Sequence, residues 1–280
     1  MKILFVCTGN TCRSPMAAGL MNKKAAELRL DIQCDSAGLG AFSGDSATAE
    51  SIRAASEYGV DISSHRARVF NLYMVQEYDL IVAVTKSHYD ALCDVTDSEK
   101  LMCFDIPDPY GLGDESYAEC IKSLDEALDR LILSRTHIEK MAQEHIPFVA
   151  ELERQCFSDP WSEDGLRAEL TNENAHFYVY TCFGQVLGYM GMQTVLDECY
   201  IANVAVSPLH RRKGIGETLV SFCSDKAEEA GCAFISLEVR VSNTGATELY
   251  KKAGFEPVGE RKNFYSHPTE NGLIMTKELR

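Results

Sequence analysis

Several things this 280-residue sequence lacks narrow its class before any motif is read. No apolar run approaches the length of a membrane span. The opening MKILFVCTGN carries one Lys and too few apolar residues for a signal peptide. The 11 cysteines are scattered singly, with no disulfide-dense region and no zinc-ligand spacing. The chain therefore reads as cytoplasmic, with reduced thiols and no metal site. Positive charge is also scarce: 27 Lys and Arg face 42 Asp and Glu, a formal net charge of −15. Residues 1–134 hold 12 basic against 21 acidic side chains, and residues 135–280 hold 15 against 21. Acidity in both halves argues against a general binder of nucleic acid or anionic membrane, and is compatible with basic protein substrates. There is no internal repeat, no low-complexity tract and no Gly/Ser/Pro-rich linker.

What is present is a change of pattern near Ser134–Thr136. The length favours two domains, placed at 1–134 and 135–280. In the first, strands at Lys2–Cys7, Ile32–Asp35, Leu80–Val84 and Leu101–Phe104 alternate with helices at Ser14–Leu30, Ala47–Tyr58, Ser87–Cys93 and Ser116–Leu133. That alternation predicts an α/β domain with a parallel sheet, whose ligands sit beyond the strand C-termini. In the second, an edge strand at His137–Met141 and a helix at Ile146–Cys156 come first. Strands at Phe177–Cys182, Val186–Leu196 and Cys199–Val206 follow. A helix near Gly214–Ala230, a strand at Phe234–Val239 and a helix at Ala246–Ala253 complete the pattern. This predicts a mixed α+β domain.

The first domain's strand ends in Cys7-Thr8-Gly9-Asn10-Thr11-Cys12-Arg13-Ser14. A loop between a strand and a helix N-terminus points backbone N–H groups inward, and the helix dipole adds partial positive charge. Such a loop holds a tetrahedral phosphate, and the same field lowers the pKa of a thiol at its start. Cys7 is then a nucleophile toward phosphorus, and Arg13 grips two phosphoryl oxygens at once. Gly9 lets the backbone approach the anion, and Asn10 tolerates the positive φ the turn requires.

With Pro15 and the later Asp108-Pro109-Tyr110, the stretch resembles the low-molecular-weight protein phosphatases over roughly residues 1–134. The resemblance implies that Asp108 protonates the leaving group and then activates water against a phosphocysteine. It implies that Asn10, Ser14, Ser36 and His65 hold the loop, with Ser14 stabilising the thiolate. Alternatives remain for two of these: His65 as a solvated loop histidine, Asp108 as a turn-initiating residue before proline. Cys12 has two readings, a partner that traps oxidised Cys7 as a disulfide or a small half-buried hydrophobe. In this family Thr at the position of Thr11 goes with phosphoarginine, whereas a larger apolar residue goes with phosphotyrosine. A hydroxyl accepts an N–H from a guanidinium. Phosphoarginine is therefore the preferred substrate and phosphotyrosine the alternative. Thiol-linked arsenate reduction needs two relay cysteines a few residues apart, whereas Cys93 stands alone and the next is Cys103.

In the second domain, a strand containing Val204 and Val206 runs through Ser207-Pro208-Leu209-His210 into Arg211-Arg212-Lys213-Gly214-Ile215-Gly216 and a helix. The glycines allow close backbone approach, and basic residues at a helix start are misplaced for the helix itself, which favours a bound anion. A dinucleotide fingerprint is absent. The pattern resembles motif A of the GNAT acetyltransferases. With Phe157-Ser158-Asp159-Pro160-Trp161-Ser162, Leu237-Glu238-Val239-Arg240-Val241-Ser242-Asn243 and Leu249-Tyr250-Lys251-Lys252-Ala253-Gly254-Phe255, it resembles the ribosomal-protein-alanine N-acetyltransferase branch over roughly residues 136–280. That resemblance implies acetyl-CoA as co-substrate, Glu238 as general base acting through water, and Tyr250 as the acid that protonates the CoA thiolate. It also implies that Val204 and Val206 pair with the pantetheine arm and that Asn243 supports the CoA. An α-amine, with a pKa near 8, is an easier substrate for a carboxylate base than lysine, near 10.4. Glu238 as a solvent-facing strand carboxylate and Tyr250 as a packing aromatic remain open, as does Trp161 as cleft lining or core cap. The expectation is a bifunctional enzyme acting on phosphorylated proteins and on a ribosomal-protein N-terminus. The alternative is an active phosphatase carrying a non-catalytic GNAT-fold module that senses peptide or CoA.

Overall fold

The computed structural model describes residues 1–279, which divide into two compact units, Met1–Ser134 and the segment from Arg135 onward. The first unit has strands β1 (Lys2–Cys7), β2 (Gln33–Gly38), β3 (Leu80–Ala83) and β4 (Leu101–Cys103). Its helices are α1 (Arg13–Leu28), α2 (Ala49–Glu57), α3 (Met74–Glu77), α4 (Lys86–Leu92) and α5 (Asp114–Ser134). The strands form one parallel sheet in the order β2-β1-β3-β4. Central β1 is buried from Ile3 to Cys7, as a strand covered on both faces must be. Leu4 and Val6 pack with Met74 of α3 and Leu92 of α4. Successive side chains alternate, so Ile3 and Phe5 point the other way, toward the face where α1 packs beside α5. Thr48 and Thr85 cap α2 and α4 by accepting from the N–H of Ser51 and His88. At the start of α1, Cys12 makes no such capping bond.

The second unit has strands β5 (Thr136–Lys140), β6 (Ala175–Cys182), β7 (Gln185–Val195), β8 (Glu198–Val206), β9 (Phe234–Arg240), β10 (Glu256–Ser266) and β11 (Thr269–Glu278). Its helices are α6 (Ile146–Cys156), α7 (Glu163–Glu169), α8 (Ile215–Glu229) and α9 (Thr244–Lys252). The sheet order is β10-β11-β9-β8-β7-β6-β5, antiparallel throughout except for β8 with β9. Val149, Ala150 and Leu152 of α6 pack with Leu166, Phe177, Val179 and the fully buried Tyr189. Two irregularities mark β8. Its pairing with β7 jumps from Gly191↔Asn203 to Met192↔Ile201, so Ala202 bulges. Its parallel pairing with β9 ends at Tyr200↔Ser236, so the strand from Ile201 to Val206 has no ladder on that side.

Four elements were absent from the sequence pattern: α3, α7, β10 and β11. The first is 4 residues long, too short for a periodic signal, and the second buries Leu166 alone, so no apolar stripe marks it. Along β10 every residue but the half-buried Tyr265 is exposed, so no face alternates between apolar and polar.

Candidate active sites

In the first unit β1 delivers Cys7 to the C-terminal edge of the sheet, and the chain turns through residues 8–12 into α1. Asn10 takes the positive φ anticipated for it, at 54°. Its N–H points at Cys7 Sγ, 3.3 Å away. Its side-chain amide donates to Ser14 Oγ (2.9 Å) and Ser36 Oγ (2.8 Å), and its Oδ1 accepts from the Arg68 N–H (2.9 Å). His65 Nε2 donates to the Asn10 carbonyl at 2.7 Å. Ser14 Oγ lies 2.8 Å from Cys7 Sγ. The fold thus brings Cys7, Asn10, Ser14, Ser36 and His65 into one hydrogen-bonded cluster. Cys12 is buried, with its Sγ 3.2 Å from Tyr117 Oη and 3.4 Å from Thr48 Oγ1, while Thr11 is half-buried.

Arg13 is buried, with one edge of its guanidinium spoken for. Nη2 pairs with Asp108 Oδ2 at 2.5 Å and Nη1 donates to the Ile106 carbonyl at 3.3 Å. Its Nε is buried with no protein partner. A buried, unpaired donor on an arginine is costly unless an acceptor arrives. Together with the uncapped start of α1, whose first turn carries no acidic residue, it marks a site built for an oxyanion. Asp108 is half-exposed and accepts from the Tyr110 N–H at 3.2 Å.

The Cys7 thiol pKa shifts in the direction opposite to the expected one. Burial pushes the thiol above its ordinary value, and this outweighs the opposing pull of Ser14, the Asn10 N–H and the Arg13 charge. The reason is placement: Cys7 is the last residue of a strand that is dry on both faces, not a rim residue.

Two contributors to this site lacked a sequence signal. Gly38 ends β2 against the loop, and a Cβ there would lie 2.4 Å from the Thr8 carbonyl and 2.9 Å from the Asn10 nitrogen. His88 is buried on α4, with Nε2 2.8 Å from Thr8 Oγ1 and Nδ1 2.7 Å from Thr85 Oγ1. The loop therefore rests on a backbone approach and on a histidine far away in sequence.

Burial lowers the pKa of both His65 and His88 from the ordinary 6.5. A depressed value means the folded unit binds fewer protons than the unfolded chain. The stabilisation they contribute is thus whole above 6.5 and is lost as pH falls below it. Thermal unfolding of the first unit should show a midpoint that drops on acidification through this range. A His65→Asn, His88→Asn double variant should show a flatter dependence.

In the second unit β8, the turn after it and the start of α8 enclose a cavity of about 690 Å³. Val204, Val206, Arg211, Arg212, Gly214, Ile215, Gly216, Asn243 and Tyr250 all line it. Arg212 (φ 64°) and Gly214 (φ 82°) hold left-handed conformations, which curl the turn around the helix start. The unladdered side of β8 offers backbone groups for pairing, as an unpaired strand edge does. Asn243 caps α9 by accepting from the Ala246 N–H at 3.2 Å. An extended chain ending in a pyrophosphate fits this donor set: strand edge, basic turn and helix N-terminus in sequence.

Tyr250 is buried and packs edge-on against Phe255, with ring centroids 5.8 Å apart, and burial pushes its hydroxyl pKa well up. Lys213 lies in the turn but is not among the residues lining the cavity. Neither is Glu238, whose side chain on β9 is only 6% exposed. Its Oε2 accepts from Tyr200 Oη at 2.5 Å and its Oε1 pairs with Arg261 Nη1 at 3.0 Å. Glu238 is thus an engaged carboxylate rather than a solvent-facing one. Tyr265 Oη donates to the Glu238 carbonyl at 3.0 Å, and burial pushes that hydroxyl pKa up to about 12. Trp161 packs on Phe177 with centroids 5.8 Å apart, against the main core.

Glu153 carries no motif and was not expected at a site. It is fully buried on α6 and accepts from Tyr189 Oη, the Asn203 side-chain amide (2.8 Å) and the Trp161 N–H (2.8 Å). It ties the bulge of β8 to the segment after α6. A signal did exist, since position 153 falls on the apolar stripe of Val149 and Ala150.

Comparison with known proteins finds two families, whose matched segments overlap at residues 146–155. The family described as low molecular weight phosphotyrosine protein phosphatase matches residues 2–155, and the acetyltransferase (GNAT) family matches residues 146–255. The chain is 39% identical to the putative ribosomal protein bS18-alanine N-acetyltransferase of Bacillus subtilis (strain 168), over 51% of this chain and 95% of that protein. It is 36% identical to the low molecular weight protein-tyrosine-phosphatase Wzb of Escherichia coli (strain K12), over 42% of this chain and 83% of that protein. A solved low molecular weight protein tyrosine phosphatase from T. tengcongensis is 37% identical, covering 48% of this chain and 99% of its own, with a TM-score of 0.46. The chain thus belongs to two families in succession, the low molecular weight phosphotyrosine protein phosphatases and the GNAT acetyltransferases, the latter users of acetyl-CoA.

Proposed function

We propose that the chain is bifunctional. Its first unit dephosphorylates protein phosphoarginine through a phosphocysteine on Cys7. Its second transfers an acetyl group to the N-terminal alanine amine of a ribosomal protein. The observation that carries the first activity is the buried, unpartnered Nε of Arg13 in the same loop as Cys7. The second is supported by the cavity along the free edge of β8 and by the name of the Bacillus subtilis relative.

In the first reaction the phosphoryl group settles among the loop N–H groups and Arg13, competing with Asp108 for the guanidinium. Cys7 Sγ attacks phosphorus in line and its proton passes to a phosphoryl oxygen. The P–N bond breaks, and Asp108 gives its proton to the departing guanidine nitrogen. Asp108, now a carboxylate, takes a proton from water, whose oxygen attacks phosphorus and releases phosphate and the Cys7 thiol. The roles of Asn10, Ser14, Ser36 and His65 are positional: they fix the loop N–H groups in their inward orientation.

In the second reaction acetyl-CoA supplies the acetyl group. Val204 and Val206 pair with its pantetheine arm, while Arg211, Arg212 and the N–H groups of Gly214 to Gly216 hold its pyrophosphate. Glu238 takes a proton from the α-amine through a water, and Tyr250, kept protonated by burial, gives one to the departing thiolate. The engagement of Glu238 by Tyr200 and Arg261 favours a second reading, in which this unit binds CoA and peptide without turnover. Acetylation of an alanine-starting peptide by the purified chain separates the two.

Substrate preference turns on Thr11. Thr11→Ile removes the hydroxyl that accepts from a guanidinium, a hydrogen bond to a charged group. The ratio of kcat/KM on phosphoarginine over phosphotyrosine peptides should fall about tenfold or more. An unchanged ratio rejects the phosphoarginine assignment.

A further inference from the structure

We propose that Arg261 is a stand-in for the substrate's amine. Its guanidinium fills the cation subsite of Glu238, and the protonated N-terminus of the incoming peptide has to displace it. The inference rests on Glu238 being the base of the proposed acetyl transfer. The Glu238 side chain is 6% exposed and is held from within by Tyr200, whose hydroxyl donates to Oε2 at 2.5 Å. Over Oε1, at 3.0 Å, lies Arg261, whose own side chain is 57% exposed. The approach from solvent to the free side of this carboxylate is therefore occupied by a cation. An N-terminal amine, with an ordinary pKa of about 7.7–8.0, arrives at neutral pH largely as an ammonium. It carries the same charge and N–H donors of its own, so it can be held at Oε1, through the water by which Glu238 acts, where the guanidinium now sits.

The pair is built to open. Arg261 comes from exposed β10, at a shift in its pairing with β11 between Arg261 and Tyr265. Its guanidinium stacks 5.0 Å over the Phe264 ring, an aromatic resting place that does not depend on Glu238. Ion pairs with an exposed partner hold weakly. Arg240, close by, shows what a fixed arginine looks like here. Its side chain is 20% exposed, and it donates to the carbonyls of His267 and Pro268 and to Ser158 while pairing with Glu270. Among the described residues Arg261 has one polar partner, Glu238. Arg261 thus sets how well an N-terminus must bind before Glu238 is free to accept a proton from it.

The test is steady-state acetylation of an alanine-starting peptide by the full chain, with KM and kcat resolved separately for wild type, Arg261→Gln, Arg261→Lys and Glu238→Gln. With the placeholder gone, Arg261→Gln should lower the peptide KM about fivefold while kcat moves little. Arg261→Lys, which keeps a cation, should bring KM back toward wild type. Methylguanidinium, added as a free replacement, should inhibit Arg261→Gln competitively against peptide and wild type far less. A peptide KM that is unchanged or higher in Arg261→Gln overturns the proposal, as does the absence of competitive inhibition. A Glu238→Gln chain that acetylates as fast as wild type overturns instead the assignment of Glu238 as base. An inactive Glu238→Gln beside an Arg261→Gln of unaltered KM removes the placeholder alone.

Discussion

Cys7→Ser abolishes dephosphorylation, lowering turnover by about four orders of magnitude or more, and leaves acetyl transfer at its wild-type rate. The hydroxyl is a far weaker nucleophile than sulfur, and no base stands beside it. The Cys7 neighbours are the Ser14 hydroxyl and the Asn10 N–H, both hydrogen-bonding groups without basic character at neutral pH. The substitution is nearly isosteric, so the loop, held by Asn10, Ser36, His65 and Gly38 rather than by Cys7, keeps its shape. Release of phosphate from phosphoarginine and phosphotyrosine peptides checks the first part. Acetylation of an alanine-starting peptide by the same preparation checks the second. Retained phosphatase turnover would remove Cys7 from the chemistry.

The second large effect is expected at Glu238. Glu238→Gln preserves shape and can still accept from Tyr200, but it cannot take a proton from an amine. Acetyl transfer should fall about 10²-fold or more in kcat, the usual contribution of a general base, while phosphate release is unaffected. Raising pH should rescue part of the loss, because a larger fraction of peptide N-termini is then already deprotonated. A rate that is neither reduced nor recovered at higher pH would assign the proton transfer to another group.

How much of this was legible in the sequence depended on whether a residue acts through its neighbours in the chain or through distant ones. The strand at Lys2–Cys7 and the helix at Ile146–Cys156 have the bounds their patterns predict, because each is a continuous or periodic apolar run against a core. The loop from Cys7 to Ser14 was legible because anion binding by backbone N–H groups is local. Its supports were only partly so. Asn10 and Ser14 lie within the motif, whereas Gly38 and His88 arrive from β2 and α4 and carry no local mark. The hairpin of β10 and β11 was illegible for a physical reason. With β10 exposed almost throughout, burial imposes no alternation, and its register is set by pairing with β11. The cost of missing it was functional, since Arg261 and Tyr265, both in contact with Glu238, come from that strand. Cys7 marks another limit. The motif speaks for a depressed thiol pKa, but only the packing shows how dry the end of β1 is.

One measurement bears most directly on the claim that a single chain carries two independent sites. Wild type, Cys7→Ser and Glu238→Gln are each assayed in both reactions, phosphate release from a phosphoarginine peptide and acetylation of an alanine-starting peptide. The expected result is a crossed pattern, with wild type performing both reactions and each variant losing one while keeping the other. A wild-type chain that lacks either activity, or a single variant that loses both, would contradict it.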